Sequence, residues 1–302
     1  MSFNLDEESL RKIVRGVIQQ MGGVAEKPQC ACHSAPAVVS SASEKGIFYD
    51  VNSAVNAAYE GYRQLCKGGM EARKKVVDIV KTMTVANAKE WGTFEYNETK
   101  IGKLEHKIGK LEIVKLVPGV EWIKPDAYSG DHGIMLEEFT PYGVIGAITP
   151  VTHSIPTIAG NIINMVAAGN AIVFNPHPGG VKSAVKAIGA FNAEIEKQLG
   201  IRNLVCCIAN PTLESFDAIT KNDLVSIMCI TGGPAVVKAA MKSGKKSICA
   251  GPGNPPVIVD DTVDMNKAAA DIIAGGCFDN NLLCIGEKEI FVLESVADKF
   301  MG

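Results

Sequence analysis

Cysteine is the side chain here best suited to covalent chemistry at neutral pH, because its thiolate is a strong nucleophile once backbone N–H groups or a positive charge stabilise it. Nine are present. Cys206 and Cys207 lie within an apolar run, LVCCIA, where a thiol serves as a small hydrophobe. Cys30, Cys32 and His33 sit in a Ser/Ala/Pro stretch, too few for a tetrahedral metal site and wrongly spaced for haem attachment, so no metal is expected. Cys284 differs. In GGCFDNNLLCIGEKEIFV it follows a helical segment at about 262–277 and precedes the strand pattern EKEIFVLE, which assigns it to an irregular loop that can open on a cleft. Composition alone still favours a buried structural thiol there.

A second chemical feature is Thr231-Gly232-Gly233-Pro234, which follows an apolar run and opens a helical one that Gly244 ends. Such a junction directs free backbone N–H groups and a positive dipole end at what lies in front, and a pyrophosphate suits it. Two glycines at a turn are more often plain turn chemistry, and neither G-x-G-x-x-G nor a Walker A motif is present. Lys242, Lys245 and Lys246 read as a solvated helix end.

The elements that must hold these loops follow from periodicity. GVIGAIT (143–149), AIVFN (171–175), LVCCIA (204–209) and DLVSIMCIT (223–231) alternate with helical patterns over 155–168, 181–199 and 212–220. Continuous apolar runs of this kind require a parallel sheet covered on both faces, so 141–258 is read as a doubly wound α/β domain. Ligands of such sheets bind at the carboxyl ends of the strands, here the loops TPVTHS, NPHPGG, NPT and TGGP. Residues 46–110 read as helical, 111–140 as a protruding strand arm broken by Pro118-Gly119 and Pro125, and 259–302 as the start of a further α/β unit.

The N-terminal 21 residues place Leu10, Ile13, Val14, Val17, Ile18 and Met21 on one helical stripe, and 22–45 is a Gly/Ala/Ser/Pro linker without period. A tethered helix with an apolar stripe is a docking peptide or, more simply, a terminal helix lying on its own domain. With 302 residues, 47% hydrophobic content and a formal net charge of -3, the chain can bury a large core and lacks the cationic excess that nucleic acid or an anionic membrane would demand. Scattered cysteines and an acidic start without a secretory leader favour a reducing cytoplasm.

Taken in order, GVIGAITPVTHSIPT, AAGNAIVFNPHPGG, ITGGPAVVKAA, GPGNPPVIV and FDNNLLCIGEKEIFV resemble the successive signatures of the aldehyde dehydrogenase superfamily, most closely the CoA-acylating acetaldehyde and propionaldehyde branch of bacterial microcompartments. The resemblance covers essentially the whole chain. It implies that Cys284 attacks the aldehyde, that the Cys284 N–H and Thr152 serve the oxyanion, and that His153 helps to deprotonate a thiol or merely orients or caps. It further implies that NAD, or NADP, contacts Thr231, Gly232, Gly233 and Gly251, with Thr149 and Pro150 lining the pocket. Asn175 is then placed near the adenosine ribose, beside His177, and Pro178 stands where NAD-specific relatives often present a carboxylate.

Ala250 stands where hydrolytic members carry a water-activating Glu, so coenzyme A, not water, is expected to take the acyl group. The product is acyl-CoA with NADH. The leader resembles an encapsulation peptide, which implies a shell-protein partner, a microcompartment lumen and a homo-oligomer. Family members continue beyond the position of Gly302 through the rest of the catalytic domain, so the chain is expected to be C-terminally truncated. Alternatives are a non-acylating aldehyde or semialdehyde dehydrogenase, against which Ala250 argues, and an inactive fragment serving only as shell-docking cargo.

Overall fold

The structure, a computed structural model, describes residues 45–302. The expected leader helix, the linker up to residue 44, and Cys30, Cys32 and His33 lie outside the described residues. In chain order the first elements are β1 (Ile47–Phe48), α1 (Val51–Ala86), α2 (Ala88–Thr99), α3 (Leu104–Glu112), β2 (Asp126–Gly130) and β3 (Gly133–Glu137). Next come β4 (Val144–Thr149), α4 (Ser154–Ala167), β5 (Ala171–Pro176), α5 (Val181–Leu199), β6 (Val205–Ile208), α6 (Leu213–Lys221) and β7 (Val225–Thr231). The last are α7 (Pro234–Lys242), β8 (Ser247–Ala250), β9 (Pro256–Val259), α8 (Met265–Gly276), β10 (Glu289–Val292) and α9 (Glu294–Met301).

Six strands form one parallel sheet in the order β1-β6-β5-β4-β7-β8. Every residue of β4 and β5 is buried, and since successive side chains of a strand point to opposite faces, both faces of the sheet's centre are covered. The apolar runs of the sequence are therefore a doubly wound α/β sheet. The chain winds outward from β4 through β5 to β6, then returns to place β7 on the other side of β4. That reversal is the switch point at which such sheets leave a crevice beyond their carboxyl ends.

Capping explains several boundaries. Asp50 accepts the Ser53 N–H at 2.7 Å and starts α1, whose long run is kinked at Gly69 (φ 60). Thr212 and Ser215 form a capping box that starts α6, and Gly200, with φ 68, ends α5 in the left-handed conformation. In the core Trp91 meets Phe191 edge-on, with ring centroids 5.3 Å apart.

Four local expectations need correction. The strand arm is shorter than 111–140: α3 runs to Glu112 and is followed by short 3-10 turns at Ile113–Leu116 and Val120–Trp122, leaving a ladder only from Asp126 to Glu137. Leu111 and Val114 are buried, so they continue the apolar stripe of α3. The helical reading of the segment from Gly46 misses β1, two residues long, which Gly46 ties to β6 by accepting the Cys207 N–H at 2.8 Å. The boundary placed after residue 258 falls inside β9, which pairs with β10 in a separate sheet. Lys245 is not a solvated end: its Nζ donates to the carbonyls of Asn222 and Val225, each at 2.7 Å, while Lys246 lies over the Tyr142 ring.

Candidate active site

A cavity of about 600 Å³ opens at the carboxyl ends of the strands. The end of β4 and its loop bring Thr149, Pro150, Thr152 and His153 to it, and the end of β5 and its loop bring Asn175, His177 and Pro178. The end of β7 and its turn supply Thr231, Gly232 and Gly233, and the end of β8 and the segment after it supply Ala250, Gly251 and Gly253. Cys284 completes the wall with Asn281 and Lys288. All twelve residues nominated from the sequence thus line one cavity, although they come from five separate segments.

The cysteine loop is held by local devices. Asp279, Asn280 and Asn281 have φ of 49°, 58° and 57°, a left-handed run that Asn and Asp tolerate better than other side chains. Asn281 Nδ2 donates to the carbonyls of Gly276 (2.6 Å) and Glu287 (3.0 Å), and Lys288 Nζ donates to Asn281 Oδ1 (2.6 Å) and the Leu283 carbonyl (2.9 Å). Gly253 packs so closely that an added Cβ would lie 2.1 Å from the Cys284 carbonyl oxygen. Cys284 itself is partly exposed. Cys277, at the end of α8, is exposed and does not line the cavity. Burial holds Cys206 and Cys207 as neutral thiols, the latter with its pKa pushed up to about 12.

Thr152 Oγ1 lies 2.9 Å from His153 Nδ1. Burial first, then the charges of Lys110 and Lys107, lower the His153 pKa from 6.5 to about 4, so the ring is neutral at physiological pH. The His153 side chain makes no capping bond to α4. Instead the Glu95 carboxylate accepts the Ser154 and Ile155 N–H groups at 3.1 and 3.0 Å, where a negative charge also suits the helix dipole.

The junction after β7 has fewer free donors than its sequence suggests, because the Gly232 N–H is committed to the Ala250 carbonyl at 3.1 Å and Pro234 has none. Asn175 is held by Ser215, whose hydroxyl donates to its Oδ1 at 2.7 Å. His177 Nδ1 accepts the Gly179 N–H at 3.0 Å, and Thr149 Oγ1 is buried without a partner.

Sequence reasoning missed the buried charges beside this site. Lys107 Nζ pairs with Glu95 at 3.0 Å and also donates to the Thr152 carbonyl. Lys110 Nζ donates to Asp279 at 2.6 Å and to the same carbonyl at 3.3 Å. Burial pushes the Asp279 carboxyl up, but the bonds from Lys110 and the Lys103 N–H outweigh it and hold the group below its usual range. The one signal available was in LEHKIGKLE: Lys107 and Lys110 share a helical face with Leu104 and Leu111, an odd place for two charges. Among the described residues no cluster of three His, Cys, Asp or Glu could hold a metal ion, and no helix is long and apolar enough to cross a membrane.

The Cys284 loop thus meets the strand-end loops at the switch point of a parallel sheet, the place where such folds bind their ligands. The chain belongs to the aldehyde dehydrogenase family, whose sequence profile matches residues 31–302. It is 41% identical over 258 residues to the propanal dehydrogenase (CoA-propanoylating) of Salmonella typhimurium, covering 85% of this chain and 56% of that protein. It is 34% identical over 299 residues to the acetaldehyde dehydrogenase (acetylating) EutE of Escherichia coli, covering 98% and 61%. The chain thus spans under two-thirds of the length of these relatives.

Among solved structures, a propionaldehyde dehydrogenase from the fucose utilisation microcompartment of Clostridium phytofermentans superposes with a TM-score of 0.79 at 42% identity, over 85% of this chain and 60% of that one. A Rhodopseudomonas palustris propionaldehyde dehydrogenase with bound CoA and an acylated cysteine gives 0.80 at 38% identity, over 86% and 60%.

Proposed function

We propose that the protein oxidises a short-chain aldehyde and passes the acyl group to coenzyme A, with NAD or, alternatively, NADP as hydride acceptor, in the lumen of a bacterial microcompartment. The observation that carries this reading is one cavity wall that joins Cys284, Thr152 and His153 to the Thr231–Gly233 turn and to Ala250. The relatives support the substrate class, since their names specify CoA-acylating enzymes of propanal and acetaldehyde.

A dinucleotide fits the wall. Thr149 Oγ1 is an unpartnered buried polar atom there, and Pro150, Asn175, His177, Pro178, Thr231, Gly232, Gly233 and Gly251 would hold the group with it. When bound, the nicotinamide ring accepts the hydride. Pro178 presents no carboxylate to the ribose, so a 2′-phosphate is tolerated as well.

The Cys284 thiolate attacks the aldehyde carbon, and the carbonyl oxygen becomes an oxyanion that the Cys284 N–H and the Thr152 hydroxyl are disposed to stabilise. Neutral His153 lies 2.9 Å from Thr152 Oγ1, and in its Nδ1-protonated tautomer it donates to that oxygen and leaves the threonine hydrogen free for the oxyanion. With a pKa near 4 the ring is too weak a base to collect a thiol proton, so His153 is an orienting residue. Loss of hydride from the thiohemiacetal carbon leaves a thioester on Cys284. The Ala250 methyl cannot activate water against it, and the thiol of coenzyme A, which needs less activation, displaces Cys284.

A shell protein binding residues 1–21 and a homo-oligomer joined through the exposed arm complete the proposal; Ile134, Met135 and Leu136 of β3 are all more than half exposed, which supports such a joint. The test is NADH formation at 340 nm from propanal or acetaldehyde. With CoA, turnover is sustained; without it, a burst of about one equivalent per site stalls on the thioester. Sustained CoA-independent oxidation would refute acyl transfer.

A further inference from the structure

Four charged side chains that no step above uses are sealed beside the cavity: Glu95, Lys107, Lys110 and Asp279, none more than 5% exposed. Paired charges in an interior seldom repay their desolvation, so stability alone is a weak reason for keeping them. Their bonds run to two different loops. On one side Lys107 and Lys110 both donate to the Thr152 carbonyl, and Glu95 accepts the N–H groups of Ser154 and Ile155. On the other, Asp279 opens the left-handed run that leads to Cys284, and Lys110 grips its carboxylate at 2.6 Å.

Asp279 is fixed from every direction. Its second oxygen accepts the Lys103 N–H at 2.9 Å, its own N–H donates to His106 Nδ1 at 2.7 Å, and the neighbouring Phe278 ring stacks on His106 at 4.2 Å. Gly102, with φ +80, lets the chain pass so near that an added Cβ would lie 2.1 Å from the Asp279 carboxylate.

We infer that Glu95, Lys107, Lys110 and Asp279 are positioning residues, a charged clamp that sets the Thr152 loop against the Cys284 loop, with Lys110 bonded to both. The inference rests on the proposed roles of Cys284 and Thr152, and its test includes a readout that needs no turnover. Lys110→Met removes the bridging group but leaves Asp279 unpaired. Lys110→Met with Asp279→Asn, neutral on both sides, is therefore measured beside it, together with Gly102→Ala, which presses on Asp279 without changing a charge.

In the full protein, alkylation of Cys284 by iodoacetamide is followed by mass spectrometry of its peptide, alongside kcat, the KM for NAD and the thermal midpoint. Release of the loop should speed Cys284 alkylation by at least about threefold in all three variants. It should lower kcat by about 10²-fold, the cost of a misplaced reacting group, while the KM for NAD stays within about twofold. Unchanged alkylation and kcat in the folded double variant would overturn the clamp. Loss of the fold in all three would overturn it too, by making the cluster a stability element. If the unsubstituted protein forms no NADH from aldehyde and CoA, the functional reading fails, and the alkylation rates still decide the clamp.

Discussion

At the scale of single residues, two cysteines near one another in sequence have opposite prospects. Cys284 lines the cavity in a bolted loop, whereas Cys277 ends a helix and faces solvent. Cys284→Ala should abolish NADH formation and leave nucleotide affinity within about twofold, because only the sulfur proposed to attack is lost, while Cys277→Ala retains turnover. The reverse pattern in a steady-state assay would reassign the nucleophile. His153 yields a pH prediction. Its folded pKa lies below its unfolded value, so its contribution to stability is present above pH 6.5 and is lost as pH falls towards about 4. That gap is worth at most about 3 kcal/mol. Urea midpoints at pH 7 and pH 4.5 should therefore fall further apart for the unsubstituted protein than for His153→Gln, which cannot take up the proton. Equal losses would mean that the half-buried ring is protonated without penalty.

At the scale of elements, the site depends on close approach between segments separated in sequence. The stretch between β8 and β9 passes the cysteine loop backbone to backbone, and Gly253 is where they meet. An alanine there would meet a carbonyl oxygen that no side-chain rotation can move, so the loop must shift. Gly253→Ala should lower kcat by about 10²-fold with only a modest change in thermal midpoint. Gly189→Ala in α5 is the contrast: nothing lies within 4 Å of the added methyl. It should keep full turnover and gain up to about 1 kcal/mol from helix propensity. Equal turnover in the two variants would remove the contact at Gly253 from the account of the site.

At the scale of the whole molecule, the leader and the catalytic body are separate propositions. The sequence spacing of Leu10, Ile13, Val14, Val17 and Ile18 is that of one helical stripe, the docking face proposed for the leader. Burying them on a partner is worth on the order of 1.5–3 kcal/mol each before association costs, enough for reversible docking. Residues 1–21 fused to a fluorescent protein should enter shells in cells that make them, and Val14→Glu with Val17→Glu should release the fusion. Diffuse fluorescence from the unsubstituted fusion, with shells present, would withdraw the docking role proposed for residues 1–21.

What the sequence by itself determined was whatever repeats over a short stretch. Apolar runs of strand length between helical patterns define β4 to β7 and the order of their loops, and they leave Cys284 in an irregular loop between regular elements, though the family resemblance, and not the loop, singles that cysteine out. Tertiary structure decided the rest. A two-residue strand such as β1 carries no period, and β9 differs from β8 only in the partner it finds, across the fold, in β10. The charges of Glu95, Lys107, Lys110 and Asp279 read as ordinary surface residues until the fold buries them together, because the partner that makes a buried charge tolerable lies far along the chain: Asp279 for Lys110, and the Thr152 carbonyl for both lysines. The sequence located the loops that meet at the cavity, and long-range packing, with the local bonds of Asn281 and Lys288, fixed how they are held.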